Sequence, residues 1–354
     1  MKKIVGILGT VALLASSIFA ADVSAKVNIL GDIFNYDSSK KSISALGIAE
    51  GGQGWNPSFQ MSVNGDNAGA SMKFYDEKGA DGSVKSVNYS IWFQPINWLK
   101  VTVGNFSTNL NQETIDYSNT ASGIDSNGYA LTFSFGGFSA DTFFAPGWSN
   151  SNFGWNRYDN TIGFFKKTGN ADAKFAEFYG KLAYAANFGT LNAYINTNQG
   201  SEGAHDFGVG YANTFGSVNF FTNVIMNTPK FKDIGIIRAE VFAKTNIDGF
   251  GIATFVVGGY ANKSYNEIAK DKLCAGVPTE KAYVGATLKL TYGIGGYTPY
   301  VYLKDNNFLA DKFDMEAKIG CTGNVGLMYW DVGVDMYFND NFKLDVPVSF
   351  TVTF

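Results

Sequence analysis

From Phe342 to Phe354 the chain reads FKLDVPVSFTVTF. Phe342, Leu344, Val346, Val348, Phe350, Val352 and Phe354 alternate with Lys343, Asp345, Ser349, Thr351 and Thr353. Period-two alternation marks a strand with one apolar and one polar face. A polar tail that frays in water would not end on Phe, because terminal residues make too few contacts to offset their conformational entropy.

The same pattern recurs along the chain. In VNYSIWF, Val87, Tyr89, Ile91 and Phe93 oppose Asn88 and Ser90, and QPIN is read as the turn that follows. WLKVTVG then sets Leu99, Val101 and Val103 against Lys100 and Thr102. In YALTFSFGGFSADTFF, Gly136 and Gly137 supply the positive φ of a tight hairpin. Further on, Ala282, Val284, Ala286, Leu288 and Leu290 alternate with Tyr283, Thr287 and Lys289. Short turns follow one end of each hairpin. The other ends are longer and rich in Gly, Ser, Asn and charge, as in STNLNQETIDYSNTASGIDSNG and the stretch from Pro146 to Ala173.

This asymmetry predicts an all-β fold: a transmembrane antiparallel up-and-down β-barrel with short periplasmic turns and long external loops. Counting segments gives about 16–18 strands, depending on whether Tyr158 to Lys174 is loop or hairpin. An even count places both termini on the periplasmic side. Charged positions opposite the apolar set include Lys26, Asp32, Lys73, Lys100, Asp141, Glu177, Lys181, Arg238, Glu240, Lys244, Lys289, Asp314, Glu316, Lys318, Asp331, Asp335, Lys343 and Asp345. Periodicity alone would also fit a soluble sandwich with its apolar face inward. Strand lengths near ten residues favour the membrane. Trp92 and Trp98, on either side of a short turn, are expected in an interfacial aromatic belt.

Composition agrees with this reading. Of 354 residues, 16% are charged, against roughly 25% in typical soluble domains. Aromatic residues make up another 16%, and there are 41 Gly, a balance suited to many strands with glycine turns. Lys2 and Lys3 precede the apolar run IVGILGTVALLASSIF, and Ala20 is a small residue suited to cleavage. Residues 1–20 are therefore read as a signal peptide, with cleavage as late as Ala25, and 21–354 as a single barrel domain. No later segment reaches the roughly 18 apolar residues of a transmembrane helix. The net charge of −4 gives no reason to expect a nucleic-acid partner.

Chemistry-bearing motifs are sparse. The single histidine, His205, lies beside Asp206 in GSEGAHDFG with no nucleophile motif to serve, so it is read as a loop residue and the chain as no enzyme. GIGGYT lacks the strand and helix of a dinucleotide site, and KDNNFLADKFD misses calcium-loop spacing. No cofactor and no metal site is expected. Cys274 in an external loop and Cys321 before the turn CTGN lie at opposite ends, too far apart for a disulfide.

With its signal peptide, alternating strands and terminal VSFTVTF, the chain resembles outer-membrane β-barrel proteins of diderm bacteria. Phe350, Val352 and Phe354 are similar to the closing-strand signal read by the barrel-assembly machinery in such proteins, although Ser349 stands where a Gly is often found. PINWLKVTVGNF resembles stretches of spirochaetal porin-like proteins. The resemblance implies insertion in outer-membrane lipid after export, with a homotrimer as one possible assembly.

Barrels of this strand number leave an aqueous channel. The expected function is that of a porin passing small hydrophilic solutes or ions. A surface adhesin or antigen on a barrel scaffold, or a secreted soluble β-protein, stay open as alternatives. Expected pore-lining residues are Lys100, Lys181, Arg238, Glu240, Lys244, Lys289, Asp314, Glu316, Lys318, Asp331 and Asp335. The third external loop, counted from Phe106 to Asn127, holds Glu113, Asp116 and Asp125 without Lys or Arg. As an inward-folded constriction it would confer a slight cation preference.

Overall fold

The computed structural model describes residues 22–48, 58–75, 86–109, 123–145, 177–198, 204–229, 234–261, 282–305, 307–309, 315–339 and 341–354. The strand segments are β1 (Asp22–Asp37), β2 (Ser42–Ile48), β3 (Ser58–Asn64), β4 (Ala68–Tyr75), β5 (Ser86–Ile96), β6 (Leu99–Asn109), β7 (Gly123–Phe135), β8 (Phe138–Ala145), β9 (Glu177–Ala186) and β10 (Gly189–Asn198). They continue as β11 (Ala204–Phe215), β12 (Val218–Pro229), β13 (Ile236–Ile247), β14 (Phe250–Ala261), β15 (Ala282–Tyr292), β16 (Tyr297–Asp305), β17 (Met315–Val325), β18 (Met328–Phe338) and β19 (Phe342–Thr353).

All of these segments belong to one antiparallel sheet. β2 and β3 share a position: β2 pairs with Gly31–Asp37 of β1, and β3 with Asp22–Asn28. The other edge of β1 pairs with β19, from Lys26 opposite Thr353 to Asp37 opposite Lys343. Eighteen strand positions thus close on themselves as an up-and-down barrel. Closure satisfies the backbone groups that an open edge would leave unpaired.

Turns at the end carrying both termini are tight. Phe135 pairs with Phe138 across Gly136 (φ 54°) and Gly137 (φ 88°), the left-handed pair that a two-residue hairpin needs. Connections at the opposite end include 76–85, 110–122, 146–176 and 262–281, although 38–41 and 339–341 are short there too.

Several sequence boundaries shift. QPIN is not the turn: β5 continues to Ile96 through a bulge after Phe93, and Gln94 Nε2 donates to the Asn97 carbonyl at 2.7 Å. CTGN lies within β17, and its turn falls at Gly326 and Leu327. His205 belongs to β11, paired in register with Thr197 and Thr228, because the strand starts before the polar stretch ends. Pro347 faces Asp32 beside a β1 bulge, where the ladder tolerates its missing donor. Residues 1–20, Cys274 and the 158–174 region lie outside the described residues.

Burial identifies the inside. Leu191, Val209, Val224, Val241, Val256 and Ile319 are exposed, and all share the apolar phase of their strands. Asn192, Asn223, Glu240, Phe255 and Tyr302, on the other phase, are buried. In a closed barrel the buried phase is the interior. The apolar phase therefore covers the outside with contiguous hydrocarbon far beyond what a water-soluble monomer exposes. This excludes the soluble sandwich, whose apolar face would be the hidden one.

Candidate functional site

The inward phase of the barrel is where a solute would meet the protein. By register, every described member of the predicted inward-facing charged set lies on it; Asp314 falls outside the described residues. What the charges touch differs from a simple water-lined pore.

Arg238 and Glu240 sit two residues apart on β13, so their side chains point the same way. Arg238 Nη2 lies 2.7 Å from Glu240 Oε1, and Asn223 Nδ2 of β12 donates to Glu240 Oε2 at 3.0 Å. Both charges are buried, at 5% and 0% side-chain exposure. They were expected to line open water. Burial at this depth makes them a structural pair instead, since a desolvated charge is tolerable only when paired and hydrogen-bonded.

A second network spans β17 and β18. Lys318 Nζ lies 3.2 Å from Glu316 and 2.9 Å from Asp335, with its ammonium 5.7 Å above the Tyr302 ring. Tyr300 donates its hydroxyl to Asp331 at 3.0 Å, while Lys289 stands 4.7 Å over the Tyr300 ring. Lys181 of β9 is opposite Asp141 of β8, which accepts from Thr132 at 2.8 Å. Lys244 is inward near the terminal end of β13, level with Asn219 and Ala253. Lys304, level with Glu316, is an inward lysine absent from the sequence-based set.

The interior also carries an aromatic wall that sequence reasoning missed. Phe106 stacks on Phe143 at 5.7 Å, Tyr179 on Tyr194 at 5.7 Å, and Phe221 on Phe242 at 4.8 Å. Two clusters result: one of Ala130, Phe143, Tyr179, Tyr194 and Ile225, and another of Phe221, Phe242, Phe255 and Tyr302. Glycine on a neighbouring strand makes room for the rings. A Cβ at Gly208 would overlap the Tyr194 ring, which lies flat across the backbone there. The available signal was phase: YTPYVYL puts Tyr300 and Tyr302 in alternation with the outward Val301 and Leu303.

Phase likewise corrects the belt assignment. Trp92 falls between the exposed Ile91 and Phe93, opposite inward Gly69, and Lys100 Nζ sits 4.4 Å over its ring. It is an interior residue, because a period-two strand cannot turn it to the side of its neighbours. Trp98 is exposed at the hairpin turn and stacks on Phe133 at 6.2 Å. The third loop is shorter than expected: Phe106–Asn109 and Gly123–Asn127 are paired strand, so Asp125 sits on β7 opposite Ser107. Glu113 and Asp116 lie outside the described residues. Phe350 on the outward phase of β19 and Phe354 just past its end are exposed, with Val352 between them.

No protein-family model and no curated protein matches the chain. Solved structures do. Pseudomonas aeruginosa OccK8 (OprE) superposes with a TM-score of 0.57 at 11% identity, covering 94% of this chain and 98% of that one. A BenF-like porin from Pseudomonas fluorescens Pf-5 gives 0.56 at 10%, covering 94% and 99%. The outer membrane protein opdK from Pseudomonas aeruginosa gives 0.55 at 9%, covering 94% and 99%. Along almost its whole length, then, this chain has the closed-barrel fold seen in bacterial outer-membrane porins.

Proposed function

We propose that the protein is an outer-membrane porin that lets small hydrophilic solutes or ions diffuse passively through its interior. One observation carries the reading: a closed eighteen-strand barrel is apolar outside and charged and polar inside. Barrels of sixteen to eighteen strands have room for water that eight-stranded ones lack. An apolar outer band is the surface that lipid requires.

Localisation follows the same logic. The chain carries residues 1–20 as an export signal, inserts in outer-membrane lipid, and uses Phe350, Val352 and Phe354 as the signal for the assembly machinery. Assembly as a homotrimer would cover part of the outward phase. Glu113 and Asp116 of the third loop tip ion passage slightly toward cations.

The test is conductance of the refolded mature protein in a planar bilayer under a salt gradient. Large, stable steps with a small cation-directed reversal potential are expected. Folded, inserted protein that passes no current would defeat the porin reading. An anion-directed potential would defeat the selectivity assignment alone.

A further inference from the structure

The inside of the barrel is not equally closed all round. On β6 to β18 many inward side chains are packed away, with Phe143 and Tyr179 0% exposed and Tyr302 1%, although Asn219 and Lys244 near the tight turns stay exposed. From β19 through β1, β3 and β4 to β5, no described inward side chain is buried except Asp37, which sits at the turn after β1. A solute in the interior therefore meets the side chains of the second arc more fully than those of the first.

The chemistry of that open arc is narrow. Ser62 of β3, Ser71 of β4 and Ser90 of β5 occupy one rung, with Ser71 and Ser90 hydroxyls 2.9 Å apart. The next rung sets Gln60 between Lys26 and Lys73. Beyond it, Thr351 of β19 donates to Asn28 of β1 at 3.0 Å. No Asp or Glu occurs in β3, β4 or β5.

Serine, threonine, asparagine and glutamine both donate and accept hydrogen bonds. Sheet geometry spaces them about 5 Å apart across strands and about 7 Å along them. This lattice matches a ligand whose own groups also donate and accept at every corner. An ion would need concentrated charge of one sign, and here Lys26 and Lys73 are offset by Asp22, Asp32 and Asp37 of β1 and spread among neutral groups.

We propose that uncharged, hydroxyl-rich solutes of sugar size bind the wall formed by β1, β3, β4 and β5, so that passage runs off-axis along it. This rests on the reading of the barrel as an open channel. Binding is shallow, through exchange of solute–water hydrogen bonds for solute–wall ones of similar strength, which suits a site that must release as readily as it captures.

The experiment adds sucrose to single channels in a planar bilayer, with a polyethylene glycol of equal hydrodynamic size as the volume control. Expected is a saturable fall in current with sucrose that the glycol does not reproduce. The double variant Gln60→Ala, Ser71→Ala should weaken half-saturation at least threefold, whereas Thr287→Val, in the buried arc, should leave it unchanged. Equal effects of sucrose and glycol, or wild-type block in the double variant, overturn the proposal even though the channel conducts. A variant without steps is replaced by Ser71→Ala alone, for which the same threefold criterion applies at half the free-energy change, about 1.7-fold. Absence of steps from inserted wild-type protein overturns the porin reading, and this proposal with it.

Discussion

Ala25 and Phe354 exchange two backbone hydrogen bonds: the Phe354 amide donates to the Ala25 carbonyl at 2.8 Å, and the Ala25 amide to the Phe354 carbonyl at 3.1 Å. The last residue of the chain is thereby paired with the first described strand. Asp22–Ala25 additionally pair with Met61–Asn64 of β3.

Export processing is constrained by this pairing. Cleavage after Ala25 would remove residues that β3 and β19 both use, whereas cleavage after Ala20 leaves all of β1. Intact-mass analysis of the exported protein is expected to show a mature chain starting at Ala21. A chain starting at Lys26 would contradict it.

Deleting Phe354 removes both bonds of that pair. At 0.5–1.5 kcal/mol each the loss is about 1–3 kcal/mol. Urea-dependent refolding into lipid vesicles should show it as a lower midpoint with an unchanged slope. In cells the deletion should also reduce the folded, heat-modifiable form, since Phe354 belongs to the proposed assembly signal.

Breaking the Arg238–Glu240 pair should cost more than breaking any exposed one. Glu240→Ala leaves a buried guanidinium without its carboxylate, a loss of about 3–5 kcal/mol. The double variant Arg238→Met, Glu240→Leu should regain most of it, because it removes both buried charges together. If the single and double variants are equally destabilised, the charges are not a desolvated pair.

Val241 lies at the middle of β13 on the outward phase, between those two inward charges and Phe242. Val241→Arg should destabilise the lipid-inserted barrel by about 2–4 kcal/mol. Lys289, on the inward phase, should accept Gln with a much smaller loss. The contrast, read by refolding in vesicles, tests which phase faces lipid.

Gly208→Ala forces a methyl group into the space the Tyr194 ring occupies. Overpacking of this kind costs about 1–3 kcal/mol. Combining it with Tyr194→Ala should give less than the sum of the two single losses, since the ring that clashes is gone.

Alternation alone made the fold legible: β19, β15 and the Gly136–Gly137 hairpin lie where the period-two pattern puts them. It misled where polarity was taken for a loop, as at His205 and Asp125, because strands of a closed barrel extend into polar sequence at their ends. Trp92 shows a different limit. Residue type suggested the belt, but phase placed it inside, and phase is dictated by backbone geometry. The buried state of Arg238 and Glu240 depends on which inward residues crowd together across strands distant in sequence, and alternation along one strand carries no such information.

The unequal interior divides the protein's freedom to vary. Along β6 to β18 a substitution must respect ring stacking, glycine clearance and paired charges, much as in the core of a water-soluble protein. Along β19 to β5 an inward side chain borders open space, so its replacement alters what passes while the packed arc goes on holding the barrel. Natural or engineered changes in permeability should therefore accumulate on one side of the cylinder, with the other side serving as its keel.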